Sequence, residues 1–292
     1  MDLSLASLSS FSSALNKILP LFLQEDGIDV NDFYWKSLPT KEVSAVINFK
    51  TPGTVIAGLP FFFAVLSHLE GREIYSDSLR DGQQLSALTS SAPFVLSLRT
   101  ALTGERLALN LLQRGSAVAT VTRRFVDLVA RASKLPPIAI METRKTTPGL
   151  RFLEKYAVRV GGGYNHRFTQ TDVFMIKDNH KNCLGGLSGA WKFFKEMQSF
   201  YTPIVVEIHS LEELQEAIRL NVKHVMLDNF HPKDLLAAVQ IKPSSMTFEI
   251  SGGITFDNIK DYLVPGVDAI SVGALTNNWA SVDISFKYHL VH

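Results

Sequence analysis

Residues 204–228 read IVVEIHSLEELQEAIRLNVKHVMLD, and this stretch decides the fold. It opens on a β-branched apolar run, Ile204–Glu207, that closes on an acid. An amphipathic segment, Leu211–Leu220, follows, and then a second apolar run, His224–Asp228, again closing on an acid. Met246–Ser251 and Ala269–Gly273 are two further runs of this kind, separated by helical segments at Pro232–Gln240 and Thr255–Leu263. The run ends, Glu207, Asp228, Ser251 and Gly273, lie 21, 23 and 22 residues apart. Strand, helix and strand at this spacing predict βα units and a parallel sheet, because a parallel connection needs a long crossover. Ile138–Thr143 and Val173–Lys177 extend the series upstream. Such units form either an open doubly wound sheet or a closed barrel, and the even spacing leans towards a barrel. In both, ligands sit at the carboxyl ends of the strands, where the polar residues fall here.

Further upstream the signals change. Val43–Phe49 is β-branched and strand-like, Gly58–Leu69 is an aromatic-rich helical segment, Phe94–Leu98 is a candidate strand and Arg106–Arg114 a candidate helix. Leu8, Phe11, Leu15, Ile18 and Phe22 form one helical stripe, which Pro20 is expected to bend or end. With 292 residues the chain has room for two domains. The 46 % hydrophobic content supports a sizeable core. Twenty-nine Lys and Arg against 28 Asp and Glu give no reason to expect nucleic acid or an anionic membrane as partner. No apolar run reaches the roughly 18 residues of a membrane span. The run Ile18–Leu23 is too short and proline-broken for a signal peptide. Cys183 is the one cysteine, which excludes an internal disulfide framework and a multi-thiolate zinc site and fits a reducing cytoplasm.

Charge is concentrated in one place. Residues 144–181 hold eight Lys and Arg but three acids, a local excess of five positive charges in a chain of net +1. Arg151, Lys155 and Arg159, at i, i+4, i+8, read as a solvated helix face. Arg144, Lys145 and Lys177 stand instead at strand ends, and His166 and Arg167 follow the triple glycine 161–163. Cations converging at strand ends make a pocket for a small, multiply charged anion, which guanidinium groups grip through paired hydrogen bonds. Glu207 and Asp228 face that pocket from two neighbouring strand ends. Ser210 and Glu213 already supply a capping box, so Glu207 is not needed as a helix cap. Two carboxylates beside a basic pocket suit Mg²⁺ shared with substrate phosphates. Ser251-Gly252-Gly253-Ile254-Thr255 joins a strand to a helix, and with Gly273 it would let phosphate approach backbone N–H groups. Cys183 reads as a bystander and His180 as a loop residue.

The blocks Thr143-Arg144-Lys145-Thr146-Thr147-Pro148-Gly149, Glu154-Lys155-Tyr156, Gly161-Gly162-Gly163, Asn165-His166-Arg167 and Ile176-Lys177-Asp178-Asn179-His180 come in one order at close spacing. With Gly104-Glu105-Arg106, Met226-Leu227-Asp228-Asn229-Phe230, Ser251-Gly252-Gly253 and Ser271-Val272-Gly273, they closely resemble quinolinate phosphoribosyltransferase. The resemblance covers roughly residue 100 to the end. It implies an N-terminal α/β sandwich-like domain, residues 1–115 joined by 279–292, and an incomplete β/α barrel over 116–278. It implies transfer of a phosphoribosyl group from phosphoribosyl pyrophosphate to quinolinate with loss of CO₂, giving nicotinate mononucleotide in de novo NAD biosynthesis. By motif, Arg144, His166, Arg167 and Lys177 resemble the quinolinate-carboxylate binders, with Lys145 beside the reacting centre and Thr143 an additional motif position. Arg106 resembles the arginine donated by a neighbouring subunit, which implies a homodimer or a higher homo-oligomer. Glu207 and Asp228 resemble residues serving ribose and Mg²⁺, and Ser251, Gly252, Gly253 and Gly273 those holding the 5-phosphate. A molybdenum-associated pyrophosphorylase shares much of the pattern, but the intact Asn165-His166-Arg167 and Lys177–His180 blocks argue for the di-acid enzyme. A silent phosphate-binding scaffold is the rival of another class, and the retained Glu207 and Asp228 argue against it.

Overall fold

The computed structural model describes residues 15, 17–28, 33–132 and 137–291. These divide into two compact units, 1–123 with 147–162 and 279–292, and 124–146 with 163–278.

In the first unit, strand β1 (Glu42–Phe49) buries Val43, Ala45, Ile47 and Phe49, the alternate residues of one face. It pairs antiparallel with β10 (Ile284–Leu290) from Val43↔Leu290 to Phe49↔Ile284. Its other edge is shared by β2 (Thr89–Ser90) and β3 (Phe94–Ser97). Helix α3 (Leu59–Glu70) supplies the aromatic side of the core, with Phe62 edge-on to Phe286 at 5.5 Å and Phe63 edge-on to Phe94 at 5.4 Å. Helix α1, residues 17–25, continues past Pro20. The helix does not end at the proline, because Leu15, Leu19 and Leu23, four apart, are buried on both sides of it. Leu8 and Phe11 lie outside the described residues. The short α2 (Phe33–Ser37) has no buried residue.

Helix α4 (Leu98–Ala132) is far longer than the expected Arg106–Arg114 segment, and the candidate strand before it ends at Ser97. Apolar burial continues through Ala117, Val118, Phe125 and Val129, which keeps the helix going. The helix therefore runs through 115/116 without a break. Gly115 is a packing glycine inside the helix, since a Cβ there would lie 2.4 Å from the Ala57 carbonyl oxygen. The two compact units part within this helix, between Arg123 and Arg124. Helix α5 (Arg151–Val160) belongs to the first unit and corrects the solvated-face reading. Lys155 is fully buried, because every residue from Leu153 to Val158 is enclosed. Among these is Glu154, whose carboxylate accepts from Arg114 Nε at 3.0 Å.

Among its described residues the second unit holds six parallel strands. They are β4 (Ala139–Met141), β5 (Phe174–Ile176), β6 (Ile204–Ile208), β7 (His224–Asp228), β8 (Thr247–Ser251) and β9 (Ala269–Ser271). Their order is β4-β9-β8-β7-β6-β5. β4 and β5 are the two edges, so the barrel is open rather than closed; Tyr164 makes a lone parallel bridge to Met141. Helices α7 (Gly186–Met197), α8 (Leu211–Arg219) and α9 (Pro232–Gln240) fill the crossovers. The helix expected at 255–263 is instead a run of turns ending in a single 3-10 turn, Ile259–Tyr262. α6 (Asp178–Cys183) and α10 (Ala274–Asn277) are short helices following β5 and β9. No described helix is long and apolar enough to cross a membrane.

Candidate active site

The register of the second sheet gathers the strand ends. Glu207 stands opposite Met226, and Asp228 opposite Ser251. A cavity of about 370 Å³ opens there, lined by Thr143, Arg144, Lys145, His166, Arg167, Met175, Lys177, Glu207, Met226, Asp228, Ser251 and Ser271. Nine of these are candidate residues from the sequence, drawn together from segments more than 100 positions apart. Met175, Met226 and Ser271 are additions. Each lies within or at the end of an apolar strand, where only the pairing of strands reveals which side chains share a cavity.

The cations come from the β4 and β5 ends. Thr143 Oγ1 accepts the Lys145 N–H at 3.0 Å, and the Lys145 carbonyl accepts from Thr276 Oγ1 at 2.9 Å, which fixes this turn at both ends. Arg144 Nε is buried and has no hydrogen-bond partner among the described residues. Arg167 anchors its guanidinium on the carbonyls of Gln170 at 3.3 Å and Val173 at 3.0 Å. Burial, and then the neighbouring Arg144 cation, pull Arg167 below its ordinary value, while Asp172 and Glu207 pull it back. Two guanidinium groups thus repel across a pocket that offers one of them too few acceptors.

The acids behave differently. Glu207 is already paired with the Lys177 ammonium. Lys181, buried, bridges Asp178 and Glu213 at 2.9 Å each. Burial alone would lower Lys181, but its bonds to Glu213 and Asp178 prevail and raise it. The same Lys181 hydrogen bond holds Asp178 below the usual carboxylate range, and His209 adds to the effect. His209, missed in the sequence, sets Nε2 2.8 Å from Asp178 and 3.6 Å from Glu207, with Nδ1 3.9 Å from Asp228. Its position two residues beyond Glu207 was the available signal. Donor atoms of Asp178, Glu207 and His209 lie within 4.8 Å of one another, so oxygen and nitrogen ligands for a cation converge on this rim.

Other candidates are placed less directly. Ser210 Oγ accepts the Glu213 N–H at 3.2 Å, but the Glu213 carboxylate takes the His209 N–H at 2.9 Å, so the capping box is shifted by one residue. His180 is a helix residue, not a loop one, and its Nδ1 accepts the Lys177 N–H at 3.0 Å. Gly252 and Gly253 have φ of 90° and 62°. A Cβ on Gly252 would meet Asn229 Oδ1 at 2.3 Å, whereas Gly253 faces open space. The glycine loop leads into turns, so it lacks the helix start expected of it. Gly273 packs near Lys145, with 3.6 Å between an added Cβ and Lys145 Cδ. Arg106 is exposed on α4 in the first unit, while the cavity lining belongs to the second. Cys183 is free and exposed.

A parallel-sheet α/β unit with a cationic cavity and two acids at its strand ends defines a class of enzyme that handles small phosphorylated and carboxylated substrates. Family models narrow this: quinolinate phosphoribosyl transferase, N-terminal domain, matches residues 32–116 and quinolinate phosphoribosyl transferase, C-terminal domain, residues 118–287. The chain belongs to the quinolinate phosphoribosyl transferase family. It is 43 % identical over 214 residues to a probable nicotinate-nucleotide pyrophosphorylase [carboxylating] of Bacillus subtilis, covering 73 % of this chain and 71 % of that one. It is 36 % identical to the nicotinate-nucleotide pyrophosphorylase [carboxylating] of Homo sapiens, covering 82 % and 80 %. The crystal structure of NadC from Streptococcus pyogenes superposes with a TM-score of 0.86 at 31 % identity over the full length of both chains.

Proposed function

We propose that the 370 Å³ cavity binds quinolinate and carries the family's phosphoribosyl transfer. The enzyme is a pentosyltransferase that joins quinolinate to phosphoribosyl pyrophosphate and releases CO₂, forming nicotinate mononucleotide for NAD biosynthesis. The observation that carries the site assignment is the buried, unpartnered Arg144 Nε beside Arg167. A dianion relieves both the missing bond and the cation repulsion, whereas a neutral acceptor leaves the repulsion in place. Arg144, His166, Arg167 and Lys177 hold the two carboxylates, and Lys145 lies beside the reacting atoms. The pyridine nitrogen lone pair forms the bond to ribose C1 while the C1–oxygen bond breaks and its electrons leave with pyrophosphate. The ring, now cationic, accepts the electron pair of the C2–carboxylate bond; CO₂ departs and a proton takes its place at C2. No enzyme nucleophile is needed, and the cations act mainly by orienting the di-acid.

Glu207 and Asp228, with His209 and Asp178 beside them, offer a donor set that fits a divalent cation. Mg²⁺ held there would stabilise charge on the leaving pyrophosphate. Ser251, Gly252, Gly253 and Gly273 serve the 5-phosphate in this reading, chiefly through backbone N–H groups, and Thr143 shapes the Lys145 turn. Cytoplasmic residence suits an exposed free thiol at Cys183.

Quinolinate should turn over and nicotinate should not, since a mono-acid leaves cations unpaired; comparable kcat/KM for the two acids would reject the assignment. EDTA should abolish activity and Mg²⁺ or Mn²⁺ restore it. Arg106 is assigned to a neighbouring subunit's site in a homodimer. Co-expressed Arg106→Ala and Lys145→Ala chains should then recover about one quarter of wild-type activity through mixed dimers, because half the dimers are mixed and each has one intact site. No recovery would place Arg106 in its own chain's site.

A further inference from the structure

Glu249 stands where the mechanism above uses no carboxylate. It lies in β8 between the fully buried Phe248 and Ile250, and its side chain is 13 % exposed. It does not line the substrate cavity; it borders a separate cavity of about 240 Å³, with Met141 and Val205. A carboxylate in such a strand is costly to bury unless its oxygens find donors. Glu249 has two, and both line the substrate cavity. Ser271 Oγ donates to Glu249 Oε1, and His166 Nε2 lies 3.4 Å from the same oxygen.

His166 is also held from its other side. Its backbone N–H donates to Glu142 Oε1 at 3.1 Å, and Asn165 Nδ2 donates to Glu142 Oε2 at 3.1 Å, with Glu142 fully buried. The ring Nδ1 accepts the Arg167 N–H at 2.6 Å. With Nδ1 accepting, a neutral ring carries its proton on Nε2, facing Glu249. Glu142 thus fixes the backbone of the His166 segment, and Glu249 fixes the ring and, through Ser271, a hydroxyl of the neighbouring strand.

We propose that Glu249 is a positioning residue for di-acid recognition, acting from behind the cavity: by accepting from Ser271 Oγ and facing His166 Nε2 it fixes that wall of the cavity and, through His166 Nδ1, the backbone of Arg167, whose guanidinium meets one carboxylate of the substrate. This rests on the di-acid reading of the cavity. It predicts a specific split. Glu249→Leu should raise KM for quinolinate by about 10–100-fold, as losing an outer partner of a ligating histidine does at metal sites. KM for phosphoribosyl pyrophosphate should stay within about twofold, since neither group is assigned to that substrate. Glu249→Gln keeps an acceptor oxygen and should restore most of the quinolinate affinity.

The test is calorimetric titration of phthalate, a di-acid lacking the ring nitrogen and therefore inert, into wild type, Glu249→Leu, Glu249→Gln, His166→Ala and the Glu249→Leu/His166→Ala double variant. Support requires a loss in Glu249→Leu that is largely absent in Glu249→Gln and that does not add to the loss in His166→Ala. Wild-type phthalate affinity in Glu249→Leu, or a fully additive double variant, overturns the proposal. Should Glu249→Leu fail to fold, ¹⁵N spectra of the wild-type His166 ring decide the matter, and a neutral ring protonated at Nδ1 overturns it. If wild type binds neither phthalate nor quinolinate, the di-acid reading falls, which is a distinct result.

Discussion

Asp81 in the first unit and Arg144 in the second are both charged groups partly withdrawn from water, and they are treated in opposite ways. The Asp81 carboxylate accepts from Gly58 N at 2.8 Å, Leu59 N at 3.1 Å and Tyr156 Oη at 2.8 Å. It caps the start of α3, where Gly58 has φ of 110° and the first-turn N–H groups need partners. Arg144, by contrast, keeps a buried Nε with no partner among the described residues. Satisfied polarity builds architecture, and unsatisfied polarity waits for a ligand. Lys181 lies between the two cases: it sits beside the cavity, yet its ammonium is fully engaged by Asp178, Glu213 and the Glu207 carbonyl.

Three substitutions sharpen that contrast. Arg144→Ala should cost the most activity, a fall in quinolinate kcat/KM of roughly a hundredfold or more, as expected for a lost charge-assisted contact. Thermal unfolding of this variant should show no loss of stability, because the folded protein gains nothing from an unpartnered cation beside Arg167. A large drop in melting temperature would mean that Arg144 is structural after all.

Asp81→Ala should do the reverse, losing about 2 kcal/mol of stability through two uncapped N–H groups while folded molecules keep their kcat. Its pH dependence has a definite sign. Burial raises Asp81 above its ordinary 3.8, against the bonds from Gly58, Tyr156 and Leu59. The stability it contributes is therefore fully present below 3.8 and declines as pH rises through the folded value. Urea unfolding across the acid range should show the gap between wild type and Asp81→Ala narrowing as pH rises.

Lys181→Met should cost the least, about 1–2 kcal/mol, since its acid partners are part-exposed and can rehydrate. Here the acid-range sign is opposite. The Lys181 hydrogen bond lowers Asp178 below 3.8, so this contribution is complete above 3.8 and is lost as pH falls through the folded value. Lys181 itself is raised above 10.5, so its part persists through neutrality and fades only as pH climbs through that higher value. The gap to wild type should be flat between those limits and close in strong acid. A gap that widened in acid would assign the stabilisation to some group other than Asp178.

Much of this was legible in the chain. Apolar runs ending in Glu207, Asp228, Ser251 and Gly273 at near-constant spacing set strands, crossovers and their parallel sense, because period and length are local properties. The excess of cations over residues 144–181, falling at strand ends, marked residues that line one cavity. Tertiary structure decided what depends on who sits next to whom. Whether the sheet closes is a matter of β4 and β5 meeting, and they remain its two edges. Lys155 looks solvated by periodicity, yet α5 is enclosed on nearly every side. The candidate helix reached only from Arg106 to Arg114, but Gly115, closely approached by the Ala57 carbonyl, lies inside an uninterrupted helix. Glu249 carried one faint signal, an acid inside an apolar strand, and only strand pairing brought it to Ser271 and His166. Local sequence fixes the type of element and the chemistry it carries, whereas long-range contacts decide which of those groups are left without a partner.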